Sequence, residues 1–151
     1  MLQPLNSRKK MNAIKKNRDL IEMFEKGASE RASKKLHPIF PDLVDHLVED
    51  IYGFAYRRTG LDIHTRHLVS LGILAAMGDC NKQLNFQLGA ALNLGISRQA
   101  VQEVLIQVAV FSGNARAINA ALILHKVVRR RKWNCKNKKF PFFKVGHRSD
   151  R

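Results

Sequence analysis

His64 and His67 stand three residues apart, and Cys80, Gln83 and Gln87 follow at steps of three and four. On a helix such steps return to one face. Cys80, Gln83 and Gln87 therefore share a face over two turns, with His67 available from the preceding helix. A thiol becomes a nucleophile when a neighbouring base or positive charge makes it a thiolate, and two imidazoles three apart can grip one metal ion. Neither set is complete in the chain. Only Asp62 is placed to give HxxH a third ligand, no CxxC supplies a resolving thiol, and amide side chains hydrogen-bond without titrating. No phosphate-binding glycine loop, nucleophile elbow or dinucleotide fingerprint is present. The reading is of no cofactor, no metal and no complete catalytic set.

A second kind of chemistry lies at the C-terminus. Arg129, Arg130, Arg131 and Lys132 precede Trp133, and Lys136, Lys138, Lys139, Lys144 and Arg148 interleave with Phe142 and Phe143. Cations neutralise phosphates and release their counterions while aromatic rings stack on bases, the combination used to hold single-stranded nucleic acid. A solvated tail whose rings fold back on the body is the other reading. The formal charge of +15 is segregated in the same sense. Residues 1–36 carry ten Lys and Arg against four acids, residues 37–125 six against seven, and residues 126–151 eleven against one. RNA or another polyanion is the expected partner; no helix-turn-helix or zinc-finger pattern favours DNA.

The elements that must position these groups are helices. Met11, Ile14, Ile21 and Phe24 recur at helical spacing and stop at Gly27, so a short amphipathic helix is expected within a basic arm, residues 1–36. After Pro41, the stripe Leu43, Val44, Leu47, Val48, Ile51, Tyr52 predicts a second helix to about Tyr56. A third follows Asp62 to about Met77, a fourth runs from about Cys80 to Leu94 and stops at Gly95, and Ser97 caps a fifth that ends near Gly113. The sixth starts near Asn114 and turns basic at His125. With no sustained β alternation and short connections, the fold class is an all-α bundle of about six helices, residues 37–125, followed by a basic aromatic tail, residues 126–151. Helices three to six are apolar around most of their circumference, which predicts self-association.

A chain of 151 residues with 45% hydrophobic residues is sized for one domain. Two cysteines, Cys80 and Cys135, form no pairing framework, which points to a reducing intracellular compartment, cytoplasm or mitochondrial matrix. No apolar run approaches the ~20 residues of a membrane span. The basic start is like a transit peptide in charge, although Asp19, Glu22, Glu25 and Glu30 run against that composition.

The blocks Gly60-Leu61-Asp62, Thr65-Arg66, Leu74-Ala75-Ala76-Met77-Gly78, Ala91-Leu92-Asn93-Leu94-Gly95-Ile96-Ser97 and Glu103-Val104-Leu105-Ile106-Gln107, in order over about residues 40–124, resemble the carboxymuconolactone decarboxylase family. The resemblance implies an all-α domain assembled as trimers or hexamers, with a site near a subunit boundary. It implies one of two chemistries. The decarboxylase branch places Glu-Leu-x-x-His on the fourth helix, where this chain has Gln83-Leu84-Asn85-Phe86-Gln87, and an acid after the glycine of the second helix, where this chain has Phe54 after Gly53. The branch similar to alkyl hydroperoxidase D needs CxxC, a following histidine and a glutamate one helix earlier. Cys80 matches its first cysteine, whereas Gln83, Gln87 and His67 stand at the other three positions. The resemblance thus implies a degenerate family pocket of His67, Cys80, Gln83 and Gln87.

Two readings follow. One is a non-catalytic scaffold subunit with the family fold, whose basic ends bind RNA or another polyanion in a ribonucleoprotein assembly, for example a ribosome-like one. The other is a working decarboxylase or peroxidase-like oxidoreductase acting on a small molecule, its pocket lined by Cys80, His67, Gln83 and Gln87.

Overall fold

The computed structural model describes residues 13–131, and these form an all-helical fold. A helical turn at 13–16 leads into α1 (Arg18–Phe24), then α2 (Ala28–Arg31) runs directly into a π-helical turn, π1 (Ala32–Leu36). Next come α3 (Pro41–Val48), continued without a break by a second π-helical stretch, π2 (Glu49–Ala55), then α4 (Ile63–Met77), α5 (Asn81–Asn93), α6 (Arg98–Ser112) and α7 (Asn114–Arg131).

The last four helices sit where local signals place them. The Asp62 carboxylate accepts from the His64 and Thr65 N–H groups at 2.9 and 3.0 Å and so caps α4, while Ser97 Oγ accepts from Ala100 N–H at 3.0 Å and caps α6. Gly95 takes a left-handed φ of 81° after α5, which lets the Ile96 N–H return to the Ala91 carbonyl at 2.9 Å. These helices pack α4 on α5 and α6, and α7 on α5 and α6, around Leu71, Leu88, Val101, Leu105 and Leu124. Each such side chain contributes about 1.5–3 kcal/mol by leaving water.

A second core shows that the N-terminal segment is not a separate arm. From Ala13 onward it is part of the body: Ala13, Ile14, Ile21, Phe24 and Ala28 are buried with Val44, Val48 and Tyr52. The ten cations of residues 1–36 mask an apolar stripe that outweighs them, and several pair locally. Arg57 grips Asp19 with two bonds of 2.7 and 3.0 Å, Arg31 meets Glu25 at 2.7 Å, and Lys16 reaches Glu49 at 3.4 Å. Gly53 permits the approach, since a Cβ there would run into the Glu49 carboxylate and come within 3.3 Å of the buried Asn17 amide. At the other end, the division between residues 125 and 126 falls inside α7, where Val127 is still a core residue.

The helix Ala28–Leu36 has no apolar periodicity to announce it. Its cap comes from the preceding helix. The Glu22 carboxylate accepts from Gly27 N–H at 2.6 Å, from Ser29 N–H at 3.2 Å and from the Ser29 hydroxyl. Those bonds, the Ser29 hydroxyl first, hold the Glu22 carboxyl below its ordinary value. Its stabilisation is accordingly present above the unfolded value near 4.5 and is lost as pH falls through the lower folded value. Glu22→Ala should cost about 1 kcal/mol in urea unfolding at neutral pH, the usual worth of a helix cap. Glu30→Ala, which removes only the exposed pair to Lys34, should leave the midpoint nearly unchanged; equal losses would contradict the capping role.

Candidate functional site

The second helix steps inward at Val44, Val48, Tyr52 and Tyr56, every four residues. An α-helix of 3.6 residues per turn drifts by about 40° at each such step, so a strict four-residue stripe needs a wider turn. π2 supplies it: the Tyr56 N–H bonds the Ile51 carbonyl five residues back at 2.9 Å. That turn delivers the Tyr56 hydroxyl to the ring of His67, Oη lying 3.0 Å from Nδ1.

His67 is the only fully buried titratable side chain of α4, at 0% exposure. Its Nε2 lies 2.8 Å from the Gln87 carbonyl of α5. A carbonyl only accepts, so Nε2 carries the proton, and Nδ1 is left as the acceptor for the Tyr56 hydroxyl. Phe24 presents its ring at 74° and 5.2 Å to the imidazole and at 87° and 4.8 Å to Tyr56. Ser70 completes the set, its Oγ 3.3 Å from the Tyr56 hydroxyl and itself donating to the Arg66 carbonyl at 3.1 Å. Burial first, then the charge that His64 can carry, pushes the His67 pKa down against the opposing pull of the Gln87 carbonyl. Burial pushes Tyr56 up and Tyr52 to about 12. At neutral pH the proton between Tyr56 and His67 therefore stays on oxygen.

The other expected site residues are distributed around this node. Gln87 belongs to it through its backbone; its side chain is half-buried, and Oε1 is enclosed without a hydrogen-bond partner. Gln83, one turn earlier on α5, is exposed. Cys80 stands at the N-cap of α5, its carbonyl accepting the Leu84 N–H at 2.8 Å while its side chain caps nothing, a free thiol in the turn Gly78-Asp79-Cys80, where Asp79 takes a left-handed φ of 52°. Cys80 lines a cavity of about 150 Å³ with Met77, Asp79, Arg116 and Asn119, and neither His67, Gln83 nor Gln87 borders it. The structure thus brings His67 and Gln87 together and leaves Cys80 and Gln83 outside their contact. His64 is exposed and gives its Nε2–H to the Leu94 carbonyl at 3.0 Å. The HxxH pair is thereby a double stitch from α4 to the carbonyls of α5, and no group of three metal-binding side chains occurs among the described residues. Phe54, after Gly53, is 64% exposed under the Arg58 guanidinium at 5.4 Å. Sequence reasoning missed Tyr56, Ser70 and Phe24; the four-residue stripe ending at Tyr56 was the available signal.

At the basic end, Lys126, Arg129 and Arg130 are exposed on the last turns of α7, and Arg131 ends that helix. Lys132, Trp133, Lys136, Lys138, Lys139, Phe142, Phe143, Lys144 and Arg148 lie outside the described residues. No described helix is long and apolar enough to cross a membrane.

With this geometry in hand, the comparisons with known proteins define the class. The carboxymuconolactone decarboxylase family model matches residues 42–126, the segment from α3 to α7. The chain belongs to that family. It is 28% identical over 92 residues to a 4-carboxymuconolactone decarboxylase of Acinetobacter baylyi, covering 61% of this chain and 67% of that protein. It is 31% identical over 84 residues to an uncharacterized 15.0 kDa protein of Paracoccus denitrificans encoded in the nqo9-nqo10 intergenic region, covering 55% of this chain and 60% of that one. The chain thus spans about two thirds or less of these relatives' length.

The depressed His67 pKa has a sign that can be tested. Folding demands the neutral imidazole, so its contribution is complete above the unfolded value of about 6.5 and is lost as pH falls below it toward the folded value. The wild type should lose stability between pH 8 and pH 5 in urea unfolding, and His67→Phe, less stable at pH 8, should lose less over the same interval. Tyr56→Phe leaves Nδ1 dry and unpaired and should cost about 1–3 kcal/mol at pH 8. Identical pH dependence in wild type and His67→Phe would contradict this reading of the site.

Proposed function

We propose that this chain is a family subunit that has given up proton-transfer chemistry and serves as an assembling scaffold, with a basic C-terminal end that binds RNA or another polyanion. One observation carries the reading. Where the family resemblance asks for titratable groups the chain has the amides Gln83 and Gln87, and the one imidazole in the neighbourhood is dry, with both ring nitrogens engaged. A general acid or base must reach the proton it moves and titrate near the working pH. His67 does neither in this arrangement.

The polyanion part rests on charge. The acids of residues 13–36 are spent on local cations and caps, and positive charge is densest from the end of α7 onward. Lys126, Arg129 and Arg130 have no acidic partner among the described residues, and the following sequence adds seven more Lys and Arg against one acid after Arg131. Single-stranded RNA fits this composition, because aromatic residues interleave with the cations there.

The assembly part rests on apolar surface. Val69, Ile73 and Met77 on α4, Val110 and Phe111 on α6, and Ile118 and Leu122 on α7 are each more than half exposed, Phe111 reaching 82%. Such contiguous stripes in a charged protein are covered in solution by another surface, and a second copy offers the same one.

Three outcomes are expected. A fluorescent single-stranded RNA should bind the full chain with an affinity that falls about a thousandfold between about 50 and 200 mM salt. Ending the chain at Arg131 with Arg129→Glu and Arg130→Glu should remove most of that binding while sparing the buried Val127; undiminished or salt-insensitive binding would overturn the reading. In light scattering the full chain should run larger than a monomer, and Val110→Asp with Phe111→Asp should shift it to the monomer. Carbon dioxide release from 4-carboxymuconolactone should not exceed the uncatalysed rate; clear turnover would restore the enzyme reading.

A further inference from the structure

A cavity of about 450 Å³ opens between the N-terminal helices and the α3–π2 segment, within the volume range of small-molecule sites. Its floor is apolar, made by Ile21, Val44, Val48 and Tyr52 with Phe86 reaching over from α5. The mouth carries one unspent charge. Arg31 is occupied by Glu25 at 2.7 Å and by the Lys26 carbonyl at 3.3 Å, which also neutralises the only acid on the rim. Lys34 is held by Glu30 at 2.6 Å, whereas its neighbour Lys35 lies on the cavity wall with no acidic partner among the described residues.

Two independent observations point to the same place. Both π-helical stretches line this one cavity, Ala32, Lys35 and Leu36 coming from π1 and Ile51 and Tyr52 from π2. Each shows the five-residue bond that defines the widened turn, His37 N–H to the Ala32 carbonyl and Tyr56 N–H to the Ile51 carbonyl, both at 2.9 Å. Such turns are rare and concentrate at functional sites. In addition, the wall from Ile21 to Leu36 precedes residues 42–126, the stretch matched by the family. One wall of the cavity thus lies outside the matched stretch, and neither Cys80 nor His67 borders it.

We propose that this cavity binds a small amphiphilic carboxylate, its hydrocarbon chain on the floor of Ile21, Val44, Val48 and Tyr52 and its carboxylate on the Lys35 ammonium. An apolar body desolvates the floor, and a single anionic head meets the single free cation at the mouth. A cationic or neutral amphiphile would leave Lys35 without an ionic partner. The site does not depend on RNA binding or on the loss of catalysis.

The test is isothermal titration calorimetry of the full chain with decanoate below its micelle concentration. Saturable binding of one molecule per chain is expected, with decanol bound more weakly. Lys35→Glu, an exposed position that folding tolerates, should weaken decanoate about tenfold or more, the worth of a charge-assisted hydrogen bond turned repulsive. Ala32→Phe, which fills the cavity from its wall, should abolish binding. Lys82→Glu, the same charge change elsewhere on the surface, should leave it intact. Equal affinity for decanol and decanoate, or wild-type affinity in Lys35→Glu, overturns the proposal. Absence of saturable binding overturns it too.

Discussion

Four segments of the chain meet at one imidazole. α4 brings the ring of His67, α5 accepts its Nε2–H at the Gln87 carbonyl, π2 donates the Tyr56 hydroxyl to Nδ1, and Phe24 closes the remaining side. Because the ring is dry, leaving either nitrogen unpaired would cost about 1–3 kcal/mol, so the register of α4 on α5 and the widened turn of π2 are constrained together. The same enclosure keeps the ring neutral. In the proposed scaffold reading, a group that elsewhere could shuttle protons serves architecture, and the amides at positions 83 and 87 support that reading.

Much of the body was legible because its signals are local. Asp62, Ser97, Gly95 and Gly113 bound α4, α5 and α6 within a residue or two of the expected limits, since caps and left-handed stops are decided by a few neighbouring atoms. Residues 13–36 were harder to read. Their charge count suggested an extended arm, yet Ile14, Ile21 and Phe24 supply a continuous apolar face, and Ala28–Leu36 takes its cap from Glu22, five to seven residues away and on another helix. Of the two π-helical stretches only π2 left a trace in the spacing: Val44, Val48, Tyr52 and Tyr56 step by four, which drifts by about 40° per step on an α-helix. At the candidate site, the shared face of Cys80, Gln83 and Gln87 was read from side chains. The contact that matters is to the backbone of Gln87, which side-chain types do not reveal.

Charge and apolar surface divide the molecule into separate working regions. The neutral middle exposes apolar side chains on α4, α6 and α7, the surface on which the proposal of assembly rests, while positive charge is densest beyond His125. Of the N-terminal cations, Lys16, Arg31 and Lys34 pair with Glu49, Glu25 and Glu30, and Asp19 is taken by Arg57. Residues 1–36 keep an excess of cations, but the charge is densest at the C-terminal end, eleven Lys and Arg against one acid in residues 126–151.

The claim on which the rest depends is that His67 is a neutral, Nε2-protonated, doubly bonded ring. Long-range nitrogen–proton NMR correlation of the imidazole, followed from pH 8 down to pH 5, reads both the tautomer and the charge. The account predicts an Nε2–H pattern with a protected Nε2 proton that persists below the ordinary histidine value of about 6.5. A ring that exchanges freely between tautomers, or that becomes imidazolium at or above that value, would contradict it.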